Sequence, residues 1–318
     1  MDVFEEVRRG GLLPAGGGSV VVVMLSGGRD SVCLLDVAIE LCGAGAVRAL
    51  HVNYGLREEA DGDQRHCEGL CERLGVSLDV VLAKRRPGNV QAWAREVRYE
   101  AASRLAEQHD ALIAVGHTAT DQVETILYRL AASPGRRALL GMPVQEGRLV
   151  RPLLTVTREQ TAVYCVERGL TWHEDSSNDS LDYARARVRH GLLPALRAVH
   201  PGAEGNVLRT AQLLRQETEL LLGLVEAELD EGDSIAIERL AELHPALARL
   251  VVVHLAEQAA GPGVYVPQAG DRVHEILALA ARQPRAELHI GGLLAAVIGD
   301  GRLRMVKIAP HYPPPAGE

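Results

Sequence analysis

The sequence predicts an α/β protein in which a parallel sheet carries helices on both faces, followed by a smaller α+β domain. Over the first two hundred residues, short apolar runs alternate with amphipathic stretches of helical period, which is typical of parallel strands joined by helices. After His200-Pro201-Gly202 the pattern changes to long helical stretches followed by strands. A chain of 318 residues with 47% apolar content is also long enough for two domains.

The strands of the first domain are predicted from apolar runs at residues 20–25, 47–53, 78–82 and 111–116. The intervening helices are predicted at residues 31–41, 61–74, 90–108 and 121–131. A short strand at 148–153 and a helix that follows Thr157 and opens with a Thr-x-x-Gln capping box continue this domain. In such sheets ligands bind at the carboxyl ends of the strands, so we expect the functional residues there.

The second domain is predicted from a long helix at residues 203–230 and from helices at 245–259 and 267–281. The last segment, ELHIGGLLAAVIGDGRLRMVKI, predicts strands joined by a Gly-Asp-Gly turn. We therefore expect a domain boundary near residue 200, with domains at 1–200 and 201–318.

Composition excludes several classes of protein. No apolar run approaches the roughly 18 residues of a membrane span, and the acidic start MDVFEEVRRG is unlike a signal peptide. The five cysteines form no C-x-x-C pair and are odd in number, which argues against a disulfide framework and against a zinc or iron-sulfur site. We expect a protein of the reducing cytoplasm, without a membrane partner.

The net charge of the chain does not indicate nucleic-acid binding. The formal net charge is −8, whereas a phosphate backbone favours concentrated positive charge. Of the 34 basic residues only Lys84 and Lys307 are lysines, so almost every cation is a guanidinium suited to bidentate phosphate or carboxylate contacts. A compositional bias of the source would explain the arginine content equally well. Any contact with a nucleic acid must therefore be local.

A strand, a glycine turn and a helix start follow one another in SVVVVMLSGGRDSVCLL. Such a turn presents backbone N–H groups and a helix dipole to an anion, and glycine allows close approach. The turn contains no lysine, which disfavours an NTPase that grips its phosphates with the GxxxxGK[ST] lysine. We favour phosphate binding over an ordinary tight turn. The predicted phosphate-binding residues are Ser26, Gly27, Gly28, Arg29, Asp30 and Ser31.

A second group of polar residues lies in GHTATDQVETILYRL, residues 116–130. Asp121 and Glu124 fall on a helical stripe rotated away from the apolar one, so we expect them to face away from the core. His117 ends the preceding strand, at the same sheet edge as the glycine turn. Convergence at one edge favours a functional site over a solvated acidic face.

These segments resemble a known family. SGGRDS resembles the PP-loop of the ATP pyrophosphatase group, and HTATDQVET resembles the HxxDDxxET motif of the tRNA(Ile)-lysidine synthases. The resemblance extends over most of residues 20–212, through HVNYGLREEA, QAWAREVRY, RPLLTVTREQTAVYCVERGLTWHEDSSND and YARARVRHGLLPAL. The chain departs from the family pattern at Tyr54, Thr120 and Ala186. Thr120 puts a two-aspartate metal site in doubt.

The resemblance implies a Rossmann-like PP-loop fold and a reaction. ATP adenylates the carbon-2 oxygen of the wobble cytidine in a CAU-anticodon tRNA(Ile), pyrophosphate leaves, and the ε-amine of free L-lysine displaces AMP to give lysidine. The implied cofactors are ATP and Mg²⁺, and Asp30 is the implied metal ligand. A homodimer is retained as one candidate assembly.

Roles for the remaining candidates follow from residue chemistry. Asp121 and Glu124 can bind the ammonium group of the substrate lysine and accept its proton. The ordinary pKa of this ammonium is about 10.4. His117 is assigned to the α-phosphate or the base oxygen, with the capping of a strand end as its alternative. Arg98 borders an apolar helix face and should reach inward, partly desolvated, to developing phosphate charge.

Two more arginines, Arg185 and Arg189, are four residues apart on one predicted helix face and should point into the domain, where they need anionic partners. ATP phosphate or the lysine carboxylate are such partners, and a salt bridge to Asp175 or Asp179 is the structural alternative.

For tRNA contact the candidates are loops at 84–86 and 136–137 and the last strand, which contains Arg302, Arg304 and Lys307. Each could equally be a solvated charge. Two other functions stay open: another PP-loop enzyme, such as a tRNA thiolase or an amide-forming synthetase, and a non-catalytic tRNA- or nucleotide-binding relative. The thiolases use paired cysteines, and a glutamine-using synthetase needs an amidotransferase domain. This chain carries neither.

Overall fold

The computed structural model describes residues 2–16, 18–55, 60–86, 88–133, 135–173, 184–261 and 263–308 of the chain. The chain divides into two compact units, Met1–Gln212 and Leu213–Glu318. This division falls within a long helix, and the domain boundary near residue 200 stays a prediction.

The first unit is built on a six-stranded sheet. Its strands are β1 (Val21–Met24), β2 (Val47–Asn53), β3 (Ser77–Leu82), β4 (Leu112–Ala114), β5 (Gln145–Glu146) and β6 (Leu149–Val150). The strand order is β3-β2-β1-β4-β6-β5. All neighbours pair in parallel except β5, which is antiparallel to β6. The predicted parallel sheet is confirmed.

Helices lie before, between and after these strands along the chain, and the last of them continues past Gln212 into the second unit. They are α1 (Val3–Gly10), α2 (Arg29–Cys42), α3 (Ala60–Leu74), α4 (Val90–His109), α5 (Ala119–Ala132), α6 (Arg136–Leu139), α7 (Arg158–Glu167), α8 (Ala184–Arg187), α9 (Leu193–Val199) and α10 (Ala203–Glu226). A π-helical turn, Val188–Leu192, joins α8 to α9.

The predicted capping box of α7 is confirmed, with Thr157 and Gln160 bonding each other's backbone N–H groups. Two of the helices were not predicted. They are α1 and α6, and the placement of residues 136–137 in a loop is wrong because both begin α6.

Both faces of the sheet are buried, which explains why β1 is an unbroken apolar run. Val21 and Val23 belong to a core that also contains residues of α2, α3 and α7. Val22 and Met24, which point to the opposite face, pack in a second core with alanines and a leucine of α4. Alternate residues of a strand point to opposite faces, so a strand covered on both sides needs apolar residues at every position.

The strand order reverses next to β1. From β1 the chain first builds outward through β2 and β3, and then returns to place β4 on the other side of β1. The crevice at the carboxyl ends of two such strands is where doubly wound sheets bind ligands. Ser26 and Gly27 follow β1, and Gly116 and His117 follow β4, so the two predicted functional segments lie at one crevice.

The second unit contains an antiparallel sheet in the order β7-β10-β9-β8. Its strands are β7 (Ser234–Ala236), β8 (Ala286–Gly291), β9 (Leu294–Gly299) and β10 (Arg302–Lys307). The hydrophobic core of this unit contains residues of the sheet and of three helices, α11 (Ile237–Glu242), α12 (Pro245–Ala260) and α13 (Val273–Ala280). Helix α11 and strand β7 were not predicted.

The predicted helix at 267–281 begins as a 3₁₀ turn over Pro267–Arg272. The predicted Gly-Asp-Gly turn joins β9 to β10, with Asp300 and Gly301 at φ 52° and 74°. Among the helices of the described residues, none is both long and apolar enough to cross a membrane.

Candidate active site

The glycine turn between β1 and α2 is closed by its own serines. The Ser31 hydroxyl donates to the Gly28 carbonyl at 2.7 Å and accepts the Ser26 N–H at 3.2 Å. The Ser26 hydroxyl accepts the Gly28 N–H at 3.3 Å. Gly27 has a φ of 84°, a left-handed conformation that favours glycine.

These bonds leave other N–H groups of the turn available. Among the described residues, no acceptor meets the backbone N–H of Gly27, Arg29 or Asp30. Gly28 is the N-cap of α2 and supplies no side chain to cover the helix start. Unpaired N–H groups at a helix amino terminus form an anion site, and the geometry is that expected of a phosphate cradle.

Gly116 packs directly on this helix start. A Cβ atom at Gly116 would lie 3.0 Å from the Asp30 carbonyl oxygen and 3.2 Å from the Ser31 nitrogen. A Cβ atom this close to backbone atoms would force the two segments apart by a few tenths of an ångström. The end of β4 is therefore fixed against the first turn of α2, which brings the segment that begins with His117 beside the cradle.

His117 lies at the mouth of the crevice as a neutral imidazole. Burial lowers its pKa to about 4, and the charges of Arg185, Arg151 and Arg98 act in the same direction, while Asp121 opposes them. Its buried Nδ1 atom has no hydrogen-bond partner among the described residues. A neutral histidine with one unpaired ring nitrogen can bond a ligand oxygen without carrying charge at pH 7.

The four charged candidates form one cluster. Arg185 donates from Nη2 to Asp121 Oδ1 at 2.9 Å and from Nε to Glu124 Oε2 at 3.1 Å. Arg189 donates to both oxygens of Glu124, at 2.6 Å and 3.0 Å, and its Nη2 lies 3.5 Å from Asp121 Oδ1. The cluster thus balances two carboxylates against two guanidinium groups.

This cluster corrects the expected exposure of the acids. The Glu124 side chain is fully buried and that of Asp121 is 11% exposed, although both were expected to face away from the core. The helical stripe was placed properly, but the segment that contains Arg185 and Arg189 covers the polar face of α5. Asp175 and Asp179, the alternative partners of these arginines, lie outside the described residues.

Asp121 is held in its ionised form. Burial alone would raise its pKa, but Arg185 and the hydrogen bonds from the Thr118 backbone and hydroxyl outweigh burial and lower the pKa. Thr118 donates from N at 2.9 Å and from Oγ1 at 2.8 Å to Asp121 Oδ2. These bonds belong to the capping box of α5, so Asp121 both caps the first turn of this helix and faces the crevice.

Arg98 reaches inward and is half-buried, as predicted. Its Nε atom is buried without a partner among the described residues. Its positive charge contributes to the lowered pKa of His117. An unpaired guanidinium N–H at this position is suited to an anionic ligand.

Asp30 does not fit the predicted magnesium site. Its Oδ1 accepts from the Thr161 hydroxyl at 2.5 Å and from Arg29 Nε at 3.3 Å, and its Oδ2 accepts from Arg158 Nε at 3.2 Å. Both oxygens are thus engaged by protein donors. No group of three or more His, Cys, Asp or Glu side chains in the described part of the chain could hold a metal ion.

Several contacts of the site were not predicted. Thr161 and Arg158 of α7 hold Asp30, and Thr120, which stands at a departure from the family motif, is buried and accepts the Arg158 N–H at 3.4 Å. Arg151 is 4% exposed, donates to the Pro143 carbonyl at 2.7 Å and contributes to the low pKa of His117. The sequence signals for these contacts were the segment RPLLTVTREQTAVYCVERG, which contains Arg151, Arg158 and Thr161, and the departure from the family motif at Thr120.

Both the sequence and the fold of this chain are similar to those of known proteins. Residues 9–196 match the PP-loop domain family. The U34-tRNA thiolase NcsA from Methanococcus maripaludis has a similar structure, with a TM-score of 0.57 and 18% identity over 67% of this chain and 78% of that one. At this identity the similarity concerns the fold alone.

Closer relatives share the sequence as well. The tRNA(Ile)-lysidine synthase of Pseudomonas fluorescens (strain Pf0-1) is 37% identical over 229 residues, which cover 70% of this chain and 52% of that protein. The chain thus spans about half the length of such curated relatives. The tRNA(Ile)-lysidine synthase of Salinispora arenicola (strain CNS-205) is 36% identical over 310 residues, 91% of each chain. The chain belongs to the PP-loop domain proteins and, within them, to the tRNA(Ile)-lysidine synthase family.

Proposed function

We propose that this protein uses ATP to join free lysine to carbon 2 of the wobble cytidine in a CAU-anticodon tRNA(Ile). The products are lysidine in the tRNA, AMP and pyrophosphate. The family of the chain supports this reaction. The observation that carries the proposal is the phosphate cradle without a lysine, which lies at the crevice between β1 and β4. Beside it are the neutral His117 and the ion-paired cluster that contains Asp121 and Glu124.

The cradle is assigned to the two outer phosphates of ATP. Three backbone N–H groups and the start of α2 offer fixed partial positive charge without a lysine. Such a site suits pyrophosphate as a leaving group, because pyrophosphate can depart without breaking an ion pair with a lysine side chain. Cleavage then falls between the α- and β-phosphates, and the adenylyl group passes to the base oxygen.

His117 and Arg98 are assigned to the adenylation step. The cytosine carbon-2 oxygen is a poor leaving group until it bears AMP, and negative charge spreads over the α-phosphate during transfer. Arg98 presents an unpaired donor to that charge. His117, neutral at pH 7, bonds either the α-phosphate or the base oxygen.

Asp121 is assigned to the lysine ammonium. Its Oδ1 is paired with Arg185, whose side chain is 47% exposed and also bonds Glu124, so an arriving ammonium can replace this guanidinium at Asp121 while Arg185 stays paired with Glu124. Glu124 is fully buried and has both oxygens bonded by arginines. We therefore assign Glu124 to positioning Arg185 and Arg189 and no longer to direct contact with lysine.

The lysine proton must leave in step with bond formation. Ordinary pKa values of about 10.4 for lysine and about 3.9 for aspartate make a prior transfer to Asp121 uphill by about 9 kcal/mol, and the lowered pKa of Asp121 adds to this cost. An amine nitrogen that has begun to bond carbon is far more acidic, so Asp121 accepts the proton only then.

Three further features remain predictions. Mg²⁺ would neutralise charge on the ATP phosphates, but the contacts of Asp30 do not fit its assignment as a ligand, and the steps above do not depend on the metal. A cytoplasmic location is the second of these predictions. Sedimentation of the purified chain tests for a homodimer.

A pyrophosphate-release assay tests the proposal against its alternatives. The purified protein receives ATP, lysine and transcripts of tRNA(Ile) with either CAU or an anticodon that lacks the wobble cytidine. The proposal expects release that requires that cytidine and that continues beyond the first turnover only when lysine is present. Dependence on a sulfur donor or glutamine would support another PP-loop enzyme, and tight tRNA binding without turnover would support a non-catalytic relative.

A further inference from the structure

A cleft that the reaction above does not use lies beside the amino-terminal part of α4. Its volume is about 650 Å³, within the roughly 300 to 1,000 Å³ of small-ligand sites. Two guanidinium groups, from Arg86 and Arg95, and two aromatic side chains, Trp93 and Tyr99, line it. Aromatic residues make up only 3% of the chain, so two of them beside two arginines form an unusual surface for this protein.

The positive charge of the cleft belongs to its arginines and not to the helix start. The Asn89 side chain accepts the N–H groups of Gln91 and Ala92 at 3.0 Å and 3.2 Å, so the first turn of α4 is already capped. Arg86 and Arg95 are exposed, and neither forms an ion pair with a described residue. Both are therefore available to an anionic ligand.

The partly exposed Tyr99 ring and the exposed Arg95 guanidinium offer stacking surface, whereas Trp93 lies buried in the wall of the cleft. The guanidinium carbon of Arg95 lies 4.7 Å from the centre of the Tyr99 ring. Trp93 is 5% exposed, and its indole Nε1 and the Tyr99 hydroxyl are buried without acceptors among the described residues. A flat ring beside exposed guanidinium planes is a surface on which an unstacked nucleic-acid base can stack.

The cleft adjoins the proposed reaction centre. The Tyr99 ring that carries Arg95 also has the Arg98 guanidinium carbon 5.6 Å from its centre. Arg98 also acts electrostatically on His117, whose pKa it lowers. Arg95 of the cleft and Arg98, which is assigned to adenylation, thus share the Tyr99 ring, so a nucleotide held on that ring would lie next to Arg98.

We propose that this cleft binds a single-stranded RNA nucleotide adjacent to the base that is modified. Its base stacks on the Tyr99–Arg95 surface and its phosphate pairs with Arg86. The inference rests on the proposed function, because it takes an RNA as the substrate. Aromatic stacking combined with basic side chains is the usual means of holding single-stranded RNA, and among the described lining residues the guanidinium groups of Arg86 and Arg95 outnumber the carboxylate of Glu96.

Tryptophan fluorescence and binding of an anticodon stem-loop RNA test this site. The chain has two tryptophans, so a Trp172→Phe protein reports on Trp93 alone. In that protein we expect the CAU stem-loop to quench fluorescence and ATP to leave it unchanged. Arg95→Ala and Arg86→Ala should each weaken RNA binding roughly tenfold. Arg104→Ala, an exposed charge on the same helix, is the matched control and should bind normally.

The outcomes separate this inference from the proposed function. If the wild-type protein modifies tRNA while Arg95→Ala and Arg86→Ala bind it normally and Trp93 is not quenched, the cleft is not an RNA site and the proposed function stands. Quenching by ATP in place of RNA would also overturn the inference, because it assigns the cleft to adenine. If the wild-type protein binds no stem-loop and does not turn over, both proposals fail.

Discussion

The Gly116 Cα and the Asp30 carbonyl oxygen are in such close contact that a Cβ atom on Gly116 would lie 3.0 Å from that oxygen. The two residues belong to the segments after β4 and β1, so this contact aligns the phosphate cradle with His117. Gly116→Ala should therefore separate the two segments. We expect a loss of at least about 1 kcal/mol in the free energy of unfolding and weaker ATP binding, measured by denaturant titration and calorimetry.

Gly69→Ala is the matched control for this substitution. Gly69 lies exposed in α3, and no atom lies within 4 Å of its Cβ position. Alanine there should be neutral or stabilising by up to about 1 kcal/mol. Equal stability and ATP affinity of Gly116→Ala and the wild-type protein would contradict the alignment.

Glu124→Gln should strongly destabilise the protein. The Glu124 carboxylate is fully buried and pairs with Arg185 and Arg189, and loss of its charge leaves two guanidinium groups to share the single carboxylate of Asp121. We expect the free energy of unfolding to fall by about 3 kcal/mol, measured with urea. Glu107→Gln, an exposed glutamate on α4, should change it by less than about 0.5 kcal/mol. A loss below about 1 kcal/mol for Glu124→Gln would contradict the role of Glu124 in positioning the arginines.

The low pKa of His117 predicts how stability depends on pH. The pKa is about 4 in the folded protein and 6.5 ordinarily, so the unfolded chain binds the proton first as pH falls. Its contribution is complete above pH 6.5 and is lost between pH 6.5 and 4, by roughly 3 kcal/mol. Between pH 6.5 and 4, the free energy of unfolding of His117→Asn should therefore fall by less than that of the wild-type protein. Parallel pH profiles for the two proteins would show that His117 is not held neutral.

Asp121→Asn should separate ATP binding from lysine transfer. Asparagine keeps an oxygen that can accept the Thr118 N–H and so preserves the start of α5. It lacks the charge that binds the ammonium. We expect ATP affinity to stay within about twofold, while the lysine-dependent step slows by at least roughly 100-fold, measured by quench-flow from adenylated tRNA. Unchanged transfer would remove Asp121 from this role.

Arg98→Ala should slow formation of the adenylated tRNA. The Nε atom of Arg98 is an unpaired buried donor, and removal of one donor to a charge that develops in a transition state costs roughly 100-fold in rate. Single-turnover transfer of labelled AMP to tRNA measures this step. Arg98→Lys should recover part of the rate because it keeps the charge. A full adenylation rate in Arg98→Ala would count against the assignment.

The sheet was predictable because its signals are local. Buried parallel strands are apolar at every position and helices have their own period, so β1, β2 and the capping box of α7 could be read from adjacent residues. The short elements α6 and β7 have too few residues for a period and were missed.

The site was predictable only where local pattern and motif coincide. The period of α5 placed Asp121 and Glu124 away from its apolar stripe, but it could not indicate that Arg185, some sixty residues later, covers them. Likewise nothing near Asp30 indicates that Thr161 bonds its carboxylate across 131 residues. Contacts between segments that are distant in sequence leave no periodic signal, and they decide which charged groups are exposed.

The phosphorus products of ATP turnover test the central claim most directly. Phosphorus NMR of a reaction that contains the protein, ATP, lysine and the CAU-anticodon tRNA(Ile) identifies them in one spectrum. We predict AMP and pyrophosphate in amounts equal to the lysidine formed, because the turn after β1 binds the outer two phosphates as a leaving group. Accumulation of ADP and orthophosphate, or intact ATP beside modified tRNA, would contradict the account.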